Sequence, residues 1–84
     1  MEYIVKNVNR VKGTVFDVVV GDLVFGNGKK FDVTFDLKKE AVIIRRWYLI
    51  EPIFYKRLLV ELKNYFHEFM EMNYPNEVIN GCAG

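Results

Sequence analysis

The sequence predicts an α+β domain: a four-stranded antiparallel meander followed by one long C-terminal amphipathic helix packed on one face, in the order β-β-β-β-α. Three observations carry that reading. Within residues 51–73, Tyr55, Leu58, Leu59, Leu62, Tyr65, Phe66, Phe69 and Met72 fall three and four apart, which lays one apolar stripe along a helix. Phe31, Val33, Phe35 and Leu37 alternate with Lys30, Asp32, Thr34 and Asp36, the pattern of a half-buried antiparallel strand. Ahead of that strand, Gly26-Asn27-Gly28 supplies residues that tolerate the positive φ angles of a short hairpin.

Residues 3–9 hold β-branched and aromatic side chains without clean alternation, as an edge strand does. Arg10 to Gly13 is a polar break ending in Gly and reads as a turn. In residues 14–25, Phe16, Val18 and Val20 share one face until the alternation fails at Gly21. A β-bulge at Gly21 restores it, because Leu23 and Phe25 then rejoin the Phe16 face. The competing reading makes Gly21-Asp22 a two-residue turn. Residues 29–37 form the third strand, Lys38-Lys39-Glu40 the next turn, and residues 41–50 a fourth strand that is apolar on both faces except at Arg45 and Arg46. Pro52 closes that strand and presets a helical φ at the start of the helix. A helix of about 21 residues spans roughly 31 Å and strands of eight or nine roughly 28 Å, so the helix lies along the sheet.

A chain of 84 residues buries only about 60% of the surface its unfolded form exposes, which supports a single core, assigned to residues 1–73 with a tail at 74–84 ordered near Val78-Ile79 at most. The chain is 51% hydrophobic and 15% aromatic, the composition of a folded globule. No apolar run approaches the length of a membrane span, Met1-Glu2-Tyr3 opens no signal peptide, and the single cysteine, Cys82, permits no internal disulfide, so a cytoplasmic location without membrane contact is expected. Abundant charge without Gln leans toward a heat-adapted source, against which stand seven Asn and three Met; a short chain without catalytic inventory also suits a viral regulator.

Catalytic readings fail on inventory. The chain has no Ser, one Cys and one His, so it lacks a hydroxyl nucleophile of the serine type and a zinc-ligand set. Gly21, Gly26 and Gly28 belong to a bulge and a hairpin and do not precede a helix, so they form no phosphate-cradling loop. Asp17, Asp32 and Asp36 on the outer face of the sheet read as solvated carboxylates, and His67 as an exposed partner of Glu71. The protein is therefore expected to be non-enzymatic, with no catalytic residue, metal or cofactor.

Net charge is only +1, so an anion site has to be local. The helix carries Lys56 and Arg57 near its positive end and Glu68 and Glu71 near its negative end, each misplaced charge costing about 0.3–1 kcal/mol. At the helix C-terminus, Arg10, Lys12, Lys38 and Lys39 are expected to face Glu68 and Glu71. At the other end, the hairpin, the free N–H groups of the helix start and a cationic set point to phosphate. With the Arg45-Arg46-Trp47-Tyr48 run, where cations neighbour aromatic rings, the expected nucleic-acid-binding residues are Lys29, Lys30, Arg45, Arg46, Trp47, Lys56 and Arg57, for single-stranded DNA or RNA. Strand alternation sends Arg45 and Arg46 to opposite faces, one of them to pair with Asp32 or Asp36, and Trp47 and Tyr48 also suit the core.

One helix covers one face of the sheet, while Val15, Val19, Val24, Ala41 and Ile43 are expected on the other. Val15, Val19, Val24 and Ile43 then form an interface patch, for a homodimer or for docking on a partner protein. The order of strands and terminal helix is similar in outline to small single-strand-binding transcription coactivators and Whirly-type domains. Leu49-Ile50-Glu51-Pro52-Ile53, leading into a helix that reaches Tyr65 and His67, resembles the end of the stage V sporulation G family of bacterial nucleic-acid binders. These likenesses imply nucleic-acid binding as a class and assign no functional residue.

Overall fold

Four strands and one helix form in the expected order in the computed structural model, which describes residues 2–76: β1 (Tyr3–Lys12), β2 (Asp17–Phe25), β3 (Lys30–Asp36), β4 (Ala41–Ile44) and α1 (Pro52–Asn73). A single 3-10 turn, Trp47–Leu49, joins β4 to the helix. The sheet order is β1-β2-β3-β4 with every neighbour antiparallel, and the helix covers one face. Expectations placed on Val78, Ile79 and Cys82 lie outside the described residues. No helix among the described residues is long and apolar enough to cross a membrane.

The bulge is real but belongs to the neighbouring strand. Pairing steps from Lys6↔Asp22 to Asn9↔Val20, so Asn7 and Val8 together oppose Gly21. Asn7 takes the left-handed conformation (φ 56°), which Asn tolerates better than most side chains, and its Nδ2 donates to Asp22 Oδ2 at 2.7 Å. Below the bulge Tyr3 and Val5 face the helix, and above it Val8 rejoins them. The irregular alternation of residues 3–9 is the trace of this inserted residue. β2 itself is unbroken, and Val19, Gly21, Leu23 and Phe25 all point inward. This reverses the expected face: Val18 and Val20 lie outside, and Phe16 sits half-exposed before the strand. Val18-Val19-Val20 is equally apolar in either phase, so periodicity alone does not choose between them.

The 26–28 hairpin forms as expected, with Gly28 at φ 89° and Phe25 N–H bonded to Lys29 O at 2.9 Å. β4, however, ends at Ile44 instead of Ile50. Arg45 N–H still reaches Asp32 O at 2.9 Å, but Arg46 then turns left-handed and the chain leaves the sheet. The departure drops Ile50 into the core and starts the helix beneath the sheet.

Leu58, Leu62, Phe66 and Met70 recur every fourth residue and form the buried line of α1; Met72, expected on the stripe, is exposed, because the four-residue step from Phe66 reaches Met70. They meet Val19, Leu23, Phe25, Phe31, Val33, Phe35 and Ile44 from the sheet. Phe35 and Phe66 stack with centroids 5.5 Å apart and planes 4° from parallel, while Phe25 packs edge-on to Phe31 at 5.5 Å and against Phe54 at 5.9 Å. Each such side chain contributes about 1.5–3 kcal/mol of burial, and each aromatic pair a further ~0.5–1.5 kcal/mol.

At the helix C-terminus the expected neutralisation takes a different route. Arg10 lies on the helix side of β1 and donates Nε and Nη2 to the carboxylate of Asp17 at 2.9 and 2.6 Å. Its guanidinium lies 4.7 Å from the ring centroid of Tyr74, which packs on Phe69 and extends the fold one residue beyond α1. Asp17 is thus on the helix side, not on the outer face with Asp32 and Asp36. Lys38 Nζ donates to Val15 O at 3.3 Å, and Asp36 accepts the N–H groups of Lys38 and Lys39. His67 pairs with Glu40 at 3.3 Å, not with Glu71, and its ring lies 5.6 Å from that of Phe35.

Candidate nucleic-acid interface

The corner where β4 hands over to α1 gathers aromatic and cationic side chains at the surface. Arg46 is its pivot, with φ 60° and ψ 35°. A left-handed turn there lets Leu49 N–H bond to Arg46 O at 3.0 Å and Ile50 N–H to Trp47 O at 2.9 Å, which closes the 3-10 turn. The turn points Trp47, Tyr48 and Leu49 outward and Ile50 inward. Trp47 is 50% exposed and Tyr48 67% exposed, so neither belongs to the core. The Trp47 ring stacks on Tyr55 of the first helical turns, centroids 5.2 Å apart and planes 23° from parallel, and Tyr48 meets it edge-on at 6.2 Å.

Arg45 and Arg46 are both exposed, because the strand ends before alternation separates them. Arg45 Nη1 lies 4.0 Å from Asp32 Oδ2, a weak surface pair. Arg46 makes no side-chain hydrogen bond or ion pair among the described residues. Lys56 follows Tyr55 in the helix and shares a stripe with Lys63 and His67, which lie whole turns further on. His67 contacts Glu40 in the β3–β4 turn, so this stripe runs along the β4 flank. Arg57 sits about 100° round the helix, beside Glu61, which accepts a 2.6 Å hydrogen bond from the Tyr3 hydroxyl of β1. Partial burial and the Glu61 carboxylate push the Tyr3 phenol up to about 12.

The structure therefore divides the expected set. Trp47 stacks on Tyr55, with Arg46 and Lys56 next to those two rings in the chain, while Arg45 continues the outward phase of β4 and reaches Asp32 on the outer sheet face. Arg57 is on the opposite flank, Lys29 is at the hairpin tip with its N–H held by Asn27 Oδ1 at 3.0 Å, and Lys30 is on the outer sheet face, 3.6 Å from Asp22. Asp22 is held below the usual carboxylate range, first by the Asn7 hydrogen bond and then by Lys30 and Lys6.

The helix start offers no free donors, contrary to the expectation of a phosphate site there. Pro52 has no N–H, Glu51 Oε1 and Oε2 accept from Ile53 and Phe54 N–H at 3.0 and 2.9 Å, and Glu51 O accepts from Tyr55 N–H at 2.8 Å. The capping carboxylate replaces an external anion and offsets the misplaced Lys56 and Arg57. Tyr55 was absent from the expected site because its spacing fits the apolar stripe. It does lie on that stripe, at the margin where Trp47 covers it. Comparison with family models, with curated proteins and with solved structures returns no match to this chain.

Among the proposed interface residues, Val24 and Ile43 are on the outer face of the sheet, as is Ala41. Val15 is exposed but lies in the β1–β2 turn. Val19 is fully buried under the helix, because the inward phase of β2 runs through it.

Proposed function

We propose that this is a non-enzymatic, cytoplasmic protein that binds single-stranded DNA or RNA through the β4–α1 corner, in a regulatory role. The observation that supports this reading is the half-exposed indole of Trp47, backed by Tyr55, with Arg46 and Lys56 next to the two rings in the chain and Arg45 one residue before Arg46. A base stacks on a rigid aromatic face whatever its identity, and adjacent cations take the phosphates on either side. Arg46 adds weight. A non-Gly residue in the left-handed region costs of the order of 1 kcal/mol, and here it carries an exposed guanidinium, without an ion pair among the described residues, at the position before Trp47.

Electrophoretic mobility of short single-stranded DNA and RNA at two salt concentrations tests the proposal. Binding that weakens steeply with salt and is lost in Trp47→Ala and in Arg45→Ala/Arg46→Ala supports it. No shift at low salt rejects it. A second reading, docking on a partner protein, rests on Leu49 and Ile53, which are large, apolar and exposed beside the same corner and serve no purpose for base stacking. That reading predicts salt-insensitive binding of a protein and no affinity for nucleic acid.

A further inference from the structure

The face of the sheet opposite α1 has an order that only the register reveals. Its rungs, read from β1 across, are Ile4-Val24-Lys30, then Lys6-Asp22-Asp32, then Asn9-Val20-Thr34-Ile43, then Val11-Val18-Asp36-Ala41. Val18, Val20 and Val24 form a spine along β2, and Ile4 and Ile43 beside it are 58% and 55% exposed. An antiparallel sheet tolerates water on one face when that face is polar, and this one is apolar along its middle strand except at Asp22.

The charges on either side of the spine are arranged by strand. On the outer face, β1 carries Lys6, β2 carries Asp22, and β3 carries Asp32 and Asp36 with Lys30 at its start, where Lys30 lies 3.6 Å from Asp22. Lys6 makes no ion pair among the described residues, and Asp32 is 60% exposed with only the 4.0 Å contact to Arg45. Lys6 and Asp32 occupy the same rung but stand two strands apart, about 9.6 Å, with Asp22 between them, so they do not meet within one chain.

We infer that a second copy of this chain covers this face, related by a two-fold axis that runs along β2. Such an axis lays the valine spine on its own copy and places β1 of each protomer over β3 of the other. Lys6 of one protomer then meets Asp32 of its partner, twice, across sheets about 10 Å apart, a spacing that a lysine side chain spans. Asn9 faces Thr34 in the same way. The same axis sets Asp22 against its own copy and Val11 over Asp36, and it leaves Ile43 of β4 beyond the facing strands; Asn7 and Lys30 already hold the Asp22 carboxylate. Charge patterning of this kind selects a self-complementary partner, because a two-fold contact requires each patch to fit itself.

Sedimentation of the full chain in the absence of nucleic acid tests this independently of the binding corner. The expected species has twice the 9.9 kDa chain mass. Lys6→Asp and Asp32→Lys each weaken the dimer about tenfold or more, and the double variant returns it to within about threefold of the original. Circular dichroism shows whether each variant folds. For any variant that does not, amide resonances of the unmodified chain are followed on dilution, with changes confined to the outer-face residues of β1 to β3 expected. A monomer at all concentrations overturns the inference. So does a dimer indifferent to both single reversals, a double variant that fails to recover, or dilution changes at the β4–α1 corner instead of the sheet.

Discussion

Trp47 lies ring on ring with Tyr55, 5.2 Å between centroids, while half of its surface stays open. It is the only tryptophan in the chain, so its emission reports on this corner alone. Saturable quenching of that emission by single-stranded oligonucleotides is expected. Tyr55→Leu keeps the apolar stripe but removes the backing ring. It should weaken binding by about 1–3 kcal/mol, roughly 5- to 150-fold, with thermal stability little changed. Quenching that is unaltered in Tyr55→Leu would remove the stack from the site.

Arg46→Gly separates strain from function. Glycine relieves the left-handed backbone by about 1 kcal/mol but adds a similar amount of unfolded-chain entropy, so stability should change by less than about 1 kcal/mol. Oligonucleotide affinity should fall, and the salt dependence should become shallower by about one counterion. Denaturant titration and binding isotherms at several salt concentrations measure the two effects.

Glu51 closes the helix start with both carboxylate oxygens. Glu51→Ala should cost about 0.5–2 kcal/mol, read as a lower denaturation midpoint. Because it also frees two N–H groups next to a basic corner, it should tighten phosphate binding. Weaker oligonucleotide binding by a folded Glu51→Ala protein would contradict the assignment of the cap.

Arg10 and Asp17 set an acid limit on the fold. The hydrogen-bonded Arg10 guanidinium, with Lys12 and Lys38 nearby, holds the Asp17 carboxyl below its ordinary range. A carboxyl depressed in the folded state contributes stability that is fully present above its unfolded pKa, about 4, and is lost as pH falls through the lower folded value. Asp17→Asn should therefore destabilise the protein at neutral pH and flatten the decline in stability below about pH 4. Parallel denaturation curves for the two proteins down to about pH 2 would show otherwise.

Gly21 faces inward at a plain strand position, and an added Cβ would sit 3.4 Å from Val5 Cγ1 and Val8 Cγ2, ordinary contact distance. Gly21→Ala should stabilise by about 0.4–1 kcal/mol, whereas Asn7→Val should destabilise, since a β-branched residue resists φ 56°. If the bulge lay at Gly21, the signs would be reversed.

Most of the fold was legible because it rests on local periodicity. Period-two alternation in β3, four-residue spacing in α1 and the glycine hairpin each name an element without reference to the rest of the chain. The candidate site was legible only in part. Arg46 and Trp47 fall at one corner with Tyr55 and the Lys56 that follows it, while Arg45, contiguous in sequence, turns to Asp32 on the outer sheet face. Lys29, Lys30 and Arg57 were grouped by their end of the sheet. Face and flank, which separate them, depend on the register and on helix rotation. Tyr55 was hidden because one spacing serves both a core position and a platform at the core's margin.

By itself the sequence determined the element types, their order, the hairpin and the buried line of α1 up to Phe66, all consequences of side chains repeating at the period of one backbone geometry. Tertiary structure alone decided three things: which phase of Val18-Val19-Val20 faces the helix, where β4 stops, and whether the helix start is open to an anion. Each is a choice between locally equivalent states, made by contacts between residues distant in the chain: the bulge of β1 against Gly21, Ile50 seeking the core, and Glu51 folding onto the N–H groups that follow it.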